Sequence, residues 1–157
     1  MIFFEPEQYQ KTCTQLFNLY RKQISALLPS AQIEHIGSSA IPNAFSKGDL
    51  DIYIEVLPDQ FEFAIEQLKT LNFIEKQNTL RTNELCMLES LNNDDVAFQV
   101  VVTGSIFTFF LTFRDKLIAS PTLVNEYNQL KLQSTYLDHD QYRAVKSNFI
   151  ERVLSHS

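Results

Sequence analysis

Apolar residues recur at helical spacing near the start of the chain and alternate with polar residues further along it. Between residues 6 and 28 the apolar positions repeat every three or four residues, which predicts an amphipathic helix. Pro29 and Ser30 end this predicted helix. Its apolar face comprises Tyr9, Cys13, Leu16, Phe17, Tyr20, Ile24, Leu27 and Leu28.

Strict alternation over residues 49–57 predicts a β-strand whose two faces differ in character. A shorter strand is predicted over residues 32–36, immediately before Gly37. Because an aliphatic face has to be buried, the acidic face of the longer strand is predicted to be the open side of a sheet. The aliphatic face carries Leu50, Ile52, Ile54 and Val56, and the acidic face carries Asp49, Asp51, Tyr53 and Glu55.

The rest of the chain predicts one more helix, two more strands and a helical tail. Asp59 is placed to cap the helix that follows Pro58, and the turn at residues 92–95 joins the two strands. With no internal repeat and no linker, we expect a single α+β domain over residues 1–157, with a mixed sheet, flanking helices and a C-terminal helical segment. The further strands are predicted over 82–89 and 96–103, and the tail helices over 105–119, 121–135 and 139–154.

Composition excludes several classes of protein. An apolar fraction of 45% excludes intrinsic disorder, and a net charge of −6 leaves no global basic field to hold nucleic acid. Cys13 and Cys86 stand far apart without a CxxC partner, which argues against a disulfide framework and fits a reducing cytoplasm. The first residues lack a basic segment followed by a long apolar one, so no signal peptide is expected.

One stretch, residues 96–113, is uncharged and just long enough to be considered as a membrane helix. Polar residues are spread along it, and Gly104 and Ser105 interrupt it near the middle. We therefore interpret it as a strand, a turn with Ser105 as a helix cap, and a helix, with no membrane contact expected. Four phenylalanines in its second half would spread around too much of the helix circumference to form one buried face. We therefore expect some of them to pack in the core and others to contact a second copy or a partner. They are Phe107, Phe109, Phe110 and Phe113.

Candidate chemistry centres on Asp49 and Asp51. Two residues apart on a strand, their side chains leave the same face with Cα atoms about 6.6 Å apart. Neighbouring carboxylates repel each other, and a hard cation such as Mg²⁺ relieves that repulsion and suits phosphoryl-transfer chemistry. A solvated polar face is the alternative interpretation of an Asp-x-Asp pair taken alone.

The turn of Gly37, Ser38 and Ser39 favours the first interpretation. Glycine allows a phosphate to approach the backbone closely, and serine hydroxyls with free N–H groups form an anion site. A Gly-Ser turn placed ten to fourteen residues before a carboxylate pair resembles the signature of the polymerase-β-like nucleotidyltransferase superfamily. An ordinary helix cap is the alternative for the turn itself.

The longer segment around this turn resembles the motif of the GrpB family (UPF0157). Such a resemblance implies a nucleotidyltransferase-like fold, with an assumed activity on an unassigned substrate. It is carried by residues 35–42, by Lys47 with Asp51 and Ile52, and further on by Gly104-Ser105, Phe113-Arg114-Asp115, Tyr127, Leu130-Lys131, Tyr142, Lys146 and Phe149-Ile150.

This sequence departs from the GrpB pattern at several positions. Gly48 and Asp49 replace a proline and an aliphatic residue, so the full Asp-x-Asp is present here, and Asn43 replaces a glycine. Gln99 stands where the family commonly has histidine, on a strand that carries a third carboxylate in active nucleotidyltransferases. An amide can coordinate weakly but cannot accept a proton. By strand parity we expect Gln99 to face the same side as the aspartates, whereas Asp94 and Asp95 are expected to lie too far out in their turn.

The leading hypothesis is an Mg²⁺-dependent nucleotidyltransferase that uses a nucleoside triphosphate and the hydroxyl of a small-molecule or protein acceptor. Asp49 and Asp51 would hold the metal as the catalytic pair, and His35 and Gln99 would line the site. Two alternatives are a non-catalytic nucleotide- or ligand-binding module and an interaction protein that dimerises through its phenylalanines. In the leading hypothesis Gly37, Ser38, Ser39 and Lys47 seat the triphosphate.

For three of the basic groups a structural interpretation stands beside the functional one. His35 is equally well explained as a hydrogen-bonded structural histidine, and Lys47 as a solvated loop lysine. Arg81 and Arg114 are further candidates for phosphate binding. Arg114 beside Asp115 is equally typical of a surface ion pair.

Overall fold

The computed structural model describes residues 2–156. The first two thirds of the chain contain all five strands and two helices, and the last third is helical. The helices are α1 (Pro6–Leu27), α2 (Phe61–Lys69), α3 (Phe109–Ile118), α4 (Pro121–Gln133) and α5 (His139–Ser155). The strands are β1 (Gln32–Ile36), β2 (Leu50–Val56), β3 (Phe73–Glu75), β4 (Leu85–Ser90) and β5 (Val96–Val102).

The five strands form one mixed sheet in the order β1-β2-β5-β4-β3. The central strands β2 and β5 run parallel, with Asp51 opposite Ala97 and Tyr53 opposite Gln99. The other three pairings are antiparallel. The α+β fold class is thereby confirmed, since the sheet is mixed, helices flank it and the C-terminal third is helical.

Helices α1 and α2 cover one face of the sheet, as the alternation in β2 predicts. Their apolar sides and the aliphatic sides of the strands form the largest core cluster, in which Ile24, Ile52 and Phe98 are fully buried. Helices α3, α4 and α5 form a second cluster with the loop after the glycine-serine turn, around Tyr127 and Phe149. The candidate site residues therefore lie between the sheet and the separate cluster formed by the C-terminal helices.

The opposite face of the sheet is only partly open. A third cluster, in which Phe107 packs near Tyr53 and Val101, covers the half of this face that lies towards the carboxyl ends of β2 and β5. The other half holds Asp51 and Ala97, which are only partly buried. The prediction of a polar open face is right for the aspartates and wrong for Tyr53, which is fully buried.

Several local predictions need correction. Asp59 lies in a 3₁₀ turn, Pro58–Gln60, and makes no capping bond to α2. The hydroxyl of Ser105 is buried without a hydrogen-bond partner in the described structure, so it does not cap the next helix. The segment predicted as a strand from residue 82 begins at Leu85, because the Thr82 hydroxyl accepts the backbone N–H of Leu85 in a turn.

The uncharged stretch divides into β5, a 3₁₀ turn and α3, as expected. Within residues 2–156, no helix is both long enough and apolar enough to cross a membrane. Among the phenylalanines of this stretch, Phe107 and Phe113 are buried. The rings of Phe109 and Phe110 stack with their centres 4.4 Å apart and are part-exposed.

Candidate functional site

Asp51 lies on the partly open face of β2, directly beside the glycine-serine turn. Antiparallel pairing places Ile36 opposite Asp51, so the turn that begins at Gly37 folds over the carboxylate. A Cβ atom built on Gly37 would lie 2.6 Å from Oδ2 of Asp51. The φ of +76° and ψ of −177° at Gly37 define a backbone region essentially reserved for glycine. The structure thus brings the predicted turn and the predicted carboxylate together.

Asp95 joins the two predicted aspartates. The backbone N–H of Leu50 donates to the carbonyl of Asp95, which starts the parallel ladder and sets Asp95 beside Asp49. Burial is the largest cause that raises the pKa of Asp95, and the negative charge of Asp49 is the next. The two carboxylates therefore interact. Asp95 therefore lies beside Asp49, but within residues 2–156 Asp49, Asp51 and Asp95 are not arranged as a group that could hold a metal by itself, and the expectation that Asp95 lies too far out to be a third ligand stays a prediction.

Burial raises the pKa of Asp51 to about 7, and the neighbouring charge of Asp49 adds to the increase. Lys146 opposes this effect with its positive charge. The free protein therefore holds a carboxyl group that readily keeps a proton, and a cation would satisfy the same electrostatic demand.

The hydroxyl of Ser38 contacts a buried lysine on α4. Lys131 is only 1% exposed, and its Nζ donates to Ser38 Oγ at 2.6 Å and also to the carbonyl of Phe45. The amine lies 3.9 Å from the centre of the Tyr127 ring. Burial lowers the pKa of Lys131 to about 6, and Lys146 contributes in the same direction.

Lys47, Lys131 and Lys146 form a lysine cluster on the side of the site made by α4 and α5. The Nζ of Lys47 lies 5.7 Å from the ring centre of Tyr142, a residue of α5. Tyr127 is the strongest influence that raises the pKa of Lys146, and Asp51 adds to it. Three lysine amines thus gather opposite the aspartates, and a polyphosphate bound there would favour the protonated form of Lys131.

Ser39 and His35 belong to the structural support of the turn. Ser39 is buried, and its hydroxyl lies 2.8 Å from Nε2 of His35. His35 pairs with Ile52 on the helix-covered face and stacks on Phe17 at 5.2 Å, so its ring lies on the other side of the sheet from Asp51. Alternation along β1 explains this, because Ile36 occupies the acidic side. The structural interpretation of His35 is the one that the geometry favours.

The two arginine candidates are both engaged elsewhere. Arg114 donates to Glu34 at 2.9 Å and to the His35 carbonyl at 3.0 Å, and Asp115 completes its ion pairs. Arg81 pairs with Glu75 at 2.9 Å. Both guanidinium groups are held by these ion pairs, so the basic groups that act on Asp51 are lysines.

Gln99 faces the same side of the sheet as Asp51, as strand parity predicts. Its cross-strand neighbours are Tyr53 on β2 and Met87 on β4. The residue of β5 that lies opposite Asp51 is Ala97, two positions before Gln99. The amide Oε1 of Gln99 is buried and has no hydrogen-bond partner among the described residues. The position directly opposite Asp51 therefore carries a methyl group rather than the amide.

A divalent cation fits this donor set when a ligand shares it. No group of three or more histidine, cysteine, aspartate or glutamate side chains within residues 2–156 is arranged to hold a metal by itself. Mg²⁺, however, usually binds through one or two carboxylates together with substrate phosphates and water. Asp49 and Asp51 would supply the carboxylates of such a site, and the lysine cluster would attract the phosphates.

Sequence reasoning missed Lys131 and Lys146 as site residues. Both lie in helices more than seventy residues from Ser38, so no local spacing connects them to the turn. The sequence did contain one indication of both lysines, because Leu130-Lys131 and Tyr142 with Lys146 are among the positions that resemble the family. Asp95 was visible in the sequence, and the parallel register of β2 and β5 was the missing information.

The comparisons with known proteins identify a family for this chain. The family model described as GrpB protein matches residues 5–156. A UPF0157 protein of Vibrio cholerae is 55% identical over 154 residues, which cover 98% of this chain and 82% of that protein. A UPF0157 protein of Deinococcus radiodurans is 30% identical, over 88% of this chain and 73% of its own length.

Among solved structures, the conserved protein GrpB from Enterococcus faecalis superimposes with a TM-score of 0.73 at 16% identity, covering 98% of this chain and 99% of that chain. The Cid1 poly(U) polymerase, in a structure with MgGTP bound, gives a TM-score of 0.50 at 14% identity. This chain covers 45% of that polymerase, and 78% of this chain is matched. At these identities the likeness concerns the fold, which is nucleotidyltransferase-like.

Proposed function

The chain belongs to the GrpB family, and from that premise we propose that it binds a nucleoside triphosphate with Mg²⁺ and transfers the nucleotidyl group to an acceptor hydroxyl. Asp49 and Asp51 would hold the metal. Gly37, Ser38 and Lys47 would seat the triphosphate together with Lys131 and Lys146. The acceptor would be a small molecule or a protein side chain.

One observation carries the proposal: two carboxylates and three lysines face each other across the turn at Gly37. Burial, with like charges nearby, disfavours the charged forms of both kinds of group in the free protein, as the raised pKa of Asp51 and the lowered pKa of Lys131 indicate. A Mg²⁺–triphosphate complex carries both complementary charges and relieves both strains at once. No single cation or anion would do so.

In this arrangement catalysis consists mainly of positioning and electrostatics. When bound, Mg²⁺ would supply charge neutralisation at the phosphates. Lys131 would hold phosphate oxygens through an amine that Ser38 and the Phe45 carbonyl already orient. The glycine at position 37 keeps the space between the turn and Asp51 free of a side chain.

A second candidate function is a non-catalytic nucleotide-binding module. The observation that favours it is the side chain opposite Asp51, which is Ala97 and not a carboxylate. Gln99, the next polar group on that face, cannot accept a proton from an acceptor. The module would bind the same ligand through the same residues, so binding and turnover have to be measured separately.

Thermal unfolding with Mg²⁺ and ATP, GTP, CTP or UTP at millimolar concentration tests the binding step. We expect at least one triphosphate to stabilise the wild-type protein by a few tenths to about 1 kcal/mol, as mass action on a millimolar site requires. Asp51→Asn should abolish the shift. Asp59→Asn, in the exposed turn before α2, is the matched control and should leave it unchanged.

Two further results separate the candidates. Release of pyrophosphate would support nucleotidyl transfer, whereas binding without release would support the module. If no triphosphate stabilises the wild-type protein, both candidates are wrong. A drop in the stability of free Asp51→Asn would instead assign Asp51 a structural role.

A further inference from the structure

A continuous row of side chains crosses the open half of the sheet from Asp51. Ala97 on β5 lies opposite Asp51, and Glu89 on β4 lies opposite Ala97, so all three point to the same face. With strands about 4.8 Å apart, the Cα atoms of Asp51 and Glu89 are about 10 Å apart. Because the residue between them has only a methyl group, the space above it lies between two carboxylates.

Within the part of the chain that the structure describes, Glu89 carries a carboxylate without a partner, unlike the acids Glu75 and Glu55 on other strands of the sheet. It is part-buried, and within residues 2–156 its side chain has no hydrogen bond or ion pair. By contrast, Glu75 is held by Arg81 and Glu55 accepts from Tyr53. Ala97 is also part-buried, and neither it nor Glu89 lies in the cluster under Phe107. An unpaired carboxylate therefore borders an accessible floor next to the aspartates.

The lysine cluster lies on one side of Asp51, and Lys76, whose positive charge also opposes the rise in the pKa of Asp51, follows β3 on the other side. Lys131 and Lys146 come from α4 and α5, beyond the glycine-serine turn, whereas Ala97 and Glu89 lie on the opposite side of Asp51, towards β4. In-line displacement at phosphorus requires the attacking and leaving oxygens on opposite sides. With pyrophosphate leaving towards the three lysines of the cluster, the acceptor approaches over Ala97, on the side of Lys76.

We propose that Glu89 is the general base of the reaction and that the acceptor hydroxyl binds over Ala97, an inference that rests on the proposed function. The acceptor O–H gives its proton to the Glu89 carboxylate while its oxygen forms a bond to the α-phosphorus. The bond from the α-phosphorus to the bridging oxygen breaks, and pyrophosphate leaves with the electron pair. Glu89 then releases the proton to water. A carboxylate from β4 thus performs the task for which Gln99 is unsuited.

Pyrophosphate release is the readout, with glycerol and N-acetylserine amide as probe hydroxyls and the triphosphate that stabilises the wild-type protein as donor. Glu89→Gln is expected to lower turnover about 100-fold or more while the Kd of the Mg²⁺–triphosphate stays within about twofold. Glu84→Gln, at an exposed position immediately before the same strand, is the matched control and should keep wild-type turnover. Ala97→Leu should fill the acceptor space and lower turnover without weakening nucleotide binding.

The possible failures are distinguishable. Absence of triphosphate binding by the wild-type protein overturns the proposed function and this inference with it. Binding with wild-type turnover in Glu89→Gln overturns the inference alone. Binding without pyrophosphate release to either probe also overturns it, in favour of the non-catalytic module. Loss of nucleotide binding in Ala97→Leu would place the triphosphate over Ala97 and contradict the assignment of sides.

Discussion

Gly37 and Asp51 are in contact across the β1–β2 pair, so closely that a methyl group on Gly37 would lie 2.6 Å from the Asp51 carboxylate oxygen. The contact joins the two parts of the predicted motif, the turn that would seat phosphate and the carboxylate that would hold metal. It also explains why glycine is required at position 37 on two grounds, the backbone conformation and the space. These two grounds can be separated experimentally.

Gly37→Ala is expected to destabilise the protein by roughly 2–4 kcal/mol, since it combines positive-φ strain with a collision. Gly104→Ala is the matched control, because Gly104 has a φ of +83° and a Cβ added there would meet no atom within 4 Å. That control should cost only about 1 kcal/mol. Urea unfolding measures both. Equal losses for the two variants would show that the Asp51 contact contributes nothing.

Acid should destabilise the protein through His35. Burial, with Arg114 nearby, lowers the pKa of His35 to about 4 from its ordinary 6.5. As pH falls, His35 is therefore protonated in the unfolded chain before it is protonated in the folded protein. The stability that neutral His35 contributes is fully present above about pH 6.5 and is lost between about pH 6.5 and 4. The loss should reach about 2–3 kcal/mol.

The difference between wild type and His35→Gln isolates this effect, because every other titrating group is common to both. The variant should be less stable at pH 7, where the Ser39 bond and the Phe17 stacking are lost, and should show a shallower decline towards pH 4. His139→Gln, at the exposed start of α5, should keep the wild-type decline. Parallel curves for wild type and His35→Gln would contradict the prediction.

Triphosphate affinity should depend on pH through Lys131. Burial lowers the pKa of this amine to about 6, so at pH 8 it is neutral in the free protein, and an arriving phosphate favours its protonated form. Binding therefore takes up a proton, and affinity falls as pH rises above about 6. Lys131→Met should bind roughly 10- to 100-fold more weakly at pH 6 and lose this dependence.

Isothermal titration in buffers of different ionisation enthalpy measures the proton uptake directly. Lys22→Met is the control, since Lys22 is an exposed lysine of α1 that should neither weaken binding nor change the uptake. Proton uptake that persists in Lys131→Met would assign the effect to another group, the nucleotide included.

A carboxylate introduced opposite Asp51 should create a stronger metal site. Ala97→Asp is expected to tighten Mg²⁺ binding without nucleotide by tenfold or more and to cost the metal-free protein about 1–3 kcal/mol through added repulsion. Gln99→Asp should act in the same direction but less, because its position lies opposite Tyr53. Titration with Mg²⁺ compares the two. A larger gain for Gln99→Asp would show that the site extends further along β5 than the register indicates.

Local pattern predicted much of what is local in this molecule. Strand β1 was predicted at its observed bounds, Gln32–Ile36, and α1 to within one residue, because amphipathic periodicity marks which side of each segment must be buried. The three-residue strand β3 was not predicted, since so short a segment has no periodicity of its own and forms only by pairing with β4. The parity of Gln99 was likewise predictable from its neighbours.

The sequence by itself determined the α+β class, the helix-covered face of the sheet, the turn at Gly37 and the pair Asp49 and Asp51. Those follow from interactions within a few residues, where spacing fixes geometry. Only the tertiary structure decided that Lys131 contacts Ser38, that Asp95 stands beside Asp49, and that His35 faces away from the acidic side. Strand order, register and helix docking set these relationships, because they depend on which distant surfaces bury each other best, and no spacing along the chain records that choice.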